Sequence, residues 1–141
     1  MAITNRDKRY MAFTRRLAIS NSQNRAKLAA ALVIRNDIIS IGQNSTTKSH
    51  PIQKRFGRNT ESIFLHAEIN CIINAIRNVD AEELSKATLY VYRVKKLDKD
   101  SKYWSDGISE PCTGCKQAIE HFRIKRVVYS TEENDIYCEM S

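Results

Sequence analysis

At 141 residues, with 42% hydrophobic and 28% charged residues, the chain matches one globular domain able to bury a core without disulfide support. Four glycines and two prolines exclude a long flexible linker, and no apolar run approaches the roughly 20 residues of a membrane span. The formal net charge of +7 favours an anionic partner, either a phosphate-bearing small molecule or nucleic acid, although interspersed acidic residues allow a plain role in solubility.

The amino-terminal stretch carries Arg6, Lys8, Arg9, Arg15 and Arg16 without a long apolar run, so it does not read as a signal peptide. A cytoplasmic location follows as the expectation. There the four cysteines would stay reduced, which favours metal ligation over a disulfide framework.

In chain order, Arg6 to Ser20 reads as a helix with an imperfect apolar stripe of Met11, Phe13, Leu17 and Ile19. Lys27 to Arg35 and Ile38 to Ile41 read as two strands joined by a tight turn at Asn36-Asp37. On propensity alone Leu28 to Leu32 could equally be helical. Gly42 to Ser62 is a long, polar, basic loop, of a length that is usually functional or disordered; here the functional reading is favoured. His66 to Arg77 is the clearest helix, with Ile69, Ile72, Ile73 and Ile76 on one face. Ala87 to Val94 has strand composition, with Leu89, Val91 and Arg93 on one face and Tyr90 and Tyr92 on the other.

A charged, hairpin-like insertion follows over about 95–108, its tip placed at Asp98 to Ser101. Thr113 to Phe122 predicts a second helix, Ile124 to Tyr129 a strand, and the tail from Ser130 shows no clear pattern. Residues 1–141 read as a single α/β domain.

Pro111-Cys112-Thr113-Gly114-Cys115 is the stretch the chemistry points to. Two thiols three apart share a face of a helix beginning there, where backbone N–H groups favour thiolate, the form a metal needs. Upstream, His66-Ala67-Glu68 offers a third ligand and a carboxylate. A redox pair is disfavoured because the early βαβ placement is missing. A closed structural zinc site would need a fourth ligand from Cys71, His121 or Cys138. Glu68 argues for the open alternative, a metal with a vacant position beside a carboxylate that does not bind it.

Together, His66-Ala67-Glu68 and Pro111-Cys112-x-x-Cys115 resemble the zinc cytidine/deoxycytidylate deaminase superfamily, whose spans read H/C-A-E and P-C-x-x-C. The likeness runs from about Lys27 to Tyr129 and includes Gly42-Gln43-Asn44, similar to the family's G-x-N. It implies a three-layer α-β-α fold around a mixed five-stranded sheet. It implies Zn²⁺ held by His66, Cys112 and Cys115, and Glu68 as the catalytic proton carrier. It also implies substrate contacts from Asn44, the Ala67 N–H and the Glu110 carbonyl, and a homo-oligomer.

The combination of HAEIN with TLYV is similar to deoxycytidylate deaminases and their phage-encoded relatives, which makes dCMP the expected substrate. Lys48, His50 and Arg55 are then candidates for phosphate contacts, with Arg15 or Arg16 as helpers. Two readings stand beside it. One is a polynucleotide deaminase acting on tRNA adenosine or single-stranded DNA cytosine; the other is a zinc-stabilised nucleic-acid-binding module without turnover.

Overall fold

Strand β1 (Lys27–Ile34) carries three consecutive alanines, and every residue from Ala29 to Ile34 is buried. Alanine favours helices, but here the small side chains let helices approach both faces of a central strand. Ala29 packs with Met11 and Ala18 on one side, Ala30 with Ala67, Cys71 and Ala75 on the other. Tertiary burial thus overrides local propensity. The computed structural model describes residues 3–21, 27–45, 48–56, 64–96, 103–135 and 137–140.

Strand β2 (Asp37–Gln43) returns antiparallel to β1 through Arg35 and Asn36, whose φ angles are 52° and 73°. Two successive positive φ values are the mark of a hairpin turn whose twist matches its strands. The turn therefore sits one residue earlier than Asn36-Asp37, and Asp37 already pairs with Ile34. Strand β3 (Thr88–Lys95) lies antiparallel on the other edge of β1.

Two strands share the far edge of β3. Strand β5 (Arg126–Ser130) pairs in parallel with Thr88 to Val91, and β4 (Ser105–Gly107) pairs antiparallel with Arg93 to Lys95. Strand β6 (Tyr137–Met140) closes the sheet against β5. The order is β2-β1-β3-β5-β6, with β4 on β3, giving six strands where five are expected. The two strands not read along the chain, β4 and β6, come from the insertion and the tail. Every residue of β6 is only half-buried, so no alternation marks it in the sequence.

Helix α1 (Asn5–Ile19) covers one face of the sheet; α3 (Ala67–Ile76) and α5 (Thr113–His121) cover the other, the latter as the crossover between β3 and β5. The three layers are those expected. Short helices α2 (Pro51–Phe56) and α4 (Ala81–Leu84) fill connections. Helix α2 lies in the segment read as irregular, being too short to show a period. The expected hairpin tip, Asp98 to Ser101, lies outside the described residues. Trp104 packs beside Tyr92 and Val94 with Lys27 and Lys96 Nζ 4.6 and 4.7 Å from its ring, whereas its neighbour Tyr103 is exposed.

The buried row of α1 is Asp7, Met11, Thr14 and Ala18 rather than the predicted apolar stripe. Its polar members explain the weak pattern. Asp7 closes a capping box with Thr4, accepts a bond from the Tyr90 hydroxyl at 2.6 Å, and receives both Nη atoms of Arg126 at 2.8 and 2.7 Å. Burial alone pushes the Asp7 carboxyl up, but Arg126, the Thr4 N–H and Tyr90 together hold it well below the usual carboxylate range. Arg126 also bonds Glu139 at 2.7 Å, so this cluster ties α1 to β3, β5 and β6.

Asp7→Asn should destabilise the fold by about 3 kcal/mol near neutral pH, because it removes the carboxylate held by both Nη atoms of the half-buried Arg126 and leaves Glu139 as its one anionic partner. A carboxyl depressed in the folded state contributes fully above its unfolded pKa of about 4 and loses that contribution as pH falls further. Urea midpoints of wild type and variant should therefore converge below about pH 4; a gap independent of pH would count against this account.

Candidate active site

Helices α3 and α5 begin beside one another, and their first turns carry the three candidate ligands. His66 is the N-cap of α3, with extended backbone at φ −81° and ψ 154°. Cys112 is the N-cap of α5, and its Sγ accepts the Cys115 N–H at 3.4 Å. Cys115 lies in that first turn and is buried. His66 Nδ1 stands 3.3 Å from Cys115 Sγ and 3.7 Å from Cys112 Sγ, and all three donor atoms lie within 4.8 Å of one another.

These separations suit a tetrahedral ion. Bonds of ~2.0–2.3 Å to nitrogen and sulfur space the ligand atoms about 3.5–3.8 Å apart. Nδ1, not Nε2, is the ring nitrogen turned to the sulfurs. Hydrogen bonds from Cys115 and from His66 lower the Cys112 thiol to about 3, so it is the ready thiolate of the pair. The hydrogen bond to Cys112 raises His66, against the effect of burial.

Among the described residues no fourth protein ligand joins this cluster. Cys71 is buried on α3 with its Sγ 3.3 Å from Ser40 Oγ, and burial pushes its thiol up to about 12. The ring of His121 packs tilted against Phe56 and edge-to-face with Phe122, and Cys138 lies on edge strand β6. The three residues that would close a structural site are thus all engaged elsewhere.

Glu68, the second residue of α3, is 4% exposed and lines a cavity of about 230 Å³ together with His66, Ala67 and Cys112. Burial raises its pKa, with the nearby His66 acting in the opposite direction. Asn44 lines the same cavity. Its Oδ1 accepts the Leu28 N–H at 3.0 Å and Asn21 Nδ2 at 2.8 Å, which fixes which end of the amide is the donor. Glu110 also lines it, while its carboxylate is turned to Lys116 Nζ at 3.0 Å and the Tyr129 hydroxyl at 3.2 Å.

The structure does not bring every candidate here. Lys48 lines a neighbouring polar pocket that shares Asn44 with the cavity. His50 Nδ1 accepts the Ile52 N–H at 3.1 Å, and the Arg55 guanidinium lies 5.1 Å from the Phe56 ring; neither lines the cavity. Arg15 is bound to Asp106 at 3.0 Å and to the Trp104 carbonyl, so it braces β4 instead of reaching a substrate.

Three roles at the site are not read from the sequence. Gln53, buried on α2, accepts the His66 N–H at 3.0 Å and so positions the ligand backbone. Gly42 is seated against α3, where a Cβ would lie 2.5 Å from both the Ala67 carbonyl oxygen and the Cys71 nitrogen. Arg93 lines the cavity, a place its alternation with Leu89 and Val91 foreshadows.

A family model for the cytidine and deoxycytidylate deaminase zinc-binding region matches residues 4–131. The chain belongs to this deaminase family. Zinc is accordingly the ion that the His66, Cys112 and Cys115 donor set fits. In structure the chain is similar to the apo dCMP deaminase of cyanophage S-TIM5, with a TM-score of 0.61 and 20% identity over 94% of this chain and 89% of that one. The same phage enzyme in complex with dCMP and dUMP gives a TM-score of 0.56 and 18% identity over 85% of this chain and 76% of that one. Cytidine deaminase from Burkholderia pseudomallei gives 0.59 and 15% over 93% and 88%. At these identities the likeness is one of fold. No curated protein matches the chain in sequence. Among the described residues no helix is long and apolar enough to cross a membrane.

Gly42→Ala should lower stability by about 2 kcal/mol, since the clash is with helix backbone that has nowhere to move. Displacing α3 also moves His66, so the deaminase should hold well under one zinc per chain by metal analysis. Full zinc content at wild-type stability would show that α3 is not seated as described.

Proposed function

We propose that the protein catalyses hydrolytic deamination of a cytosine nucleotide, dCMP to dUMP, with release of ammonia. The observation that carries the reading is Glu68: a buried carboxylate beside three zinc-type ligands that, among the described residues, lack a fourth protein partner. A closed structural site has no use for such a group. His66, Cys112 and Cys115 would hold the metal. When bound, zinc supplies a Lewis-acidic open position that brings the pKa of water towards neutrality.

The chain's own residues account for orientation and proton movement. Glu68 accepts a proton from the attacking water, passes it to the ring nitrogen beside the amine-bearing carbon, and delivers the next to the departing amine. A carboxyl raised by burial suits a group that must both take and return protons. The Ala67 N–H, at the start of α3, would hold the base carbonyl. The Glu110 backbone carbonyl would receive the leaving amine, its side chain being occupied by Lys116. Asn44, clamped through Oδ1, would present its amide nitrogen to the sugar.

dCMP is favoured by the net charge of +7 and by the likeness to a phage enzyme that binds dCMP and dUMP. The same charge supports a second reading, deamination within a single-stranded polynucleotide. Steep salt dependence of binding would mark that alternative, because many phosphates are then engaged.

The test is a panel of dCMP, CMP, deoxycytidine, single-stranded oligonucleotide and tRNA, with products read by mass. Glu68→Gln should retain zinc and lose about 10²–10⁴-fold in turnover. Wild-type protein that frees no ammonia from any of them would sink the enzyme reading in favour of a binding module.

A further inference from the structure

Among the described residues of the cavity wall, Arg93 is the charged one that the reaction above leaves without a task. Period-two alternation places it on the face of β3 that carries Leu89 and Val91, the face packed by α3 and α5. It lies beyond the end of β5, where β4 has taken over the edge of β3. Its cross-strand partners are Leu28 on β1 and Gly107 on β4, and Leu28 lines the same cavity.

The position is built. The Arg93 N–H donates to Ser130 Oγ at 3.0 Å. Ser130 Oγ also donates to the Gly107 carbonyl at 2.7 Å, and the Ser130 N–H to Ser109 Oγ at 2.8 Å, so three chain segments lock around this residue. Gly107 makes room for its stem, since a Cβ there would lie 3.1 Å from Arg93 Cγ and Cδ.

The half-buried head group has one unpartnered nitrogen. Nε is buried and has no hydrogen-bond partner, and no carboxylate pairs with the guanidinium among the described residues. Arg15 and Arg126, the other partly buried arginines with assigned bonds, are both ion-paired. A half-buried guanidinium with no carboxylate beside it and one orphaned nitrogen is suited to an anion supplied from elsewhere. Glu68 does not supply it, since no ion pair joins the two. The guanidinium fork can offer two N–H donors to two oxygens of a phosphate, whereas a neutral base carbonyl would use only one.

We infer that Arg93 is the anion-recognition residue of this site, contacting a phosphate carried on the sugar of the substrate and thereby selecting phosphorylated over unphosphorylated substrates. The inference rests on the deaminase reading for its substrate but not for its test. The phosphate is either the 5′-monoester of a free nucleotide or a phosphodiester of a single strand, and the chemistry recognised is the same.

Binding of dUMP and of deoxyuridine to the zinc-loaded wild-type protein is measured by calorimetry, which needs no turnover. Wild type should prefer dUMP, or a single-stranded deoxyuridine oligonucleotide, over deoxyuridine. Arg93→Gln should cut that preference by about 30-fold or more, and Arg93→Lys should restore only part of it, a point charge replacing a fork. Loss with dUMP assigns the monoester; loss confined to the oligonucleotide assigns the phosphodiester.

Where turnover is detected, the ratio of kcat/KM for dCMP over deoxycytidine should fall in parallel, chiefly through KM. Wild type that binds deoxyuridine as well as both phosphorylated ligands, or an Arg93→Gln protein that keeps the preference, overturns the assignment and leaves the deaminase reading intact. Absent ammonia release with a retained, Arg93-dependent preference overturns the enzyme reading alone. Should Arg93→Gln not fold, Arg93→Lys decides: a partial loss of the preference supports the assignment and an unchanged preference overturns it.

Discussion

The site depends on how closely α3 lies on strand β2. At Gly42 the helix backbone occupies the space a side chain would need, and nothing larger than hydrogen fits between them. Around that contact the helix is stitched to the strand. Asn70 and Asn74, one turn apart, donate to the carbonyls of Gln43 and Ile41 at 3.1 and 2.9 Å, and Ser40 Oγ donates to the Cys71 carbonyl at 2.9 Å. The two asparagine bonds also satisfy acceptors on an edge strand. Because His66 and Glu68 begin this helix, their coordinates are inherited from the contact.

Helix α5 brings the other half. It lies in the crossover between the parallel strands β3 and β5, so its start is delivered to the end of the sheet where β3 finishes. Two helix N-termini beside one another concentrate unpaired N–H groups, which favour thiolate sulfur and electron-rich ligands there. The Cys115 N–H on Cys112 Sγ is one visible instance. Metal-ligand chemistry at this point thus follows from backbone placement as well as from side-chain identity.

The insertion changes the far wall of the cavity. Strand β3 continues past the end of β5, and β4 pairs with the extension. Asp106 on β4, 2% exposed, takes Arg15 from α1 and the Tyr92 hydroxyl, fastening the hairpin to the opposite layer. The Ser109 hydroxyl donates to the Val91 carbonyl at 2.8 Å as the chain returns towards Pro111 and Cys112. A segment that looks like a charged surface excursion therefore shapes the space beside Glu68.

From the sequence alone came the features written as short-range pattern: the isoleucine stripe of α3, the alternation of β3, and the paired signatures at His66-Ala67-Glu68 and Pro111 to Cys115. Family membership followed, because those residues must stand at fixed spacing for chemistry whatever surrounds them. Only the tertiary structure decided that β1 is a strand despite its alanines, that the unpatterned tail pairs on β5, and that Arg15 braces β4. It alone placed Gln53 behind His66 and Arg93 in the cavity wall. Each of those outcomes depends on what a residue meets across the sheet or between layers, and such neighbours leave no periodic trace along the chain.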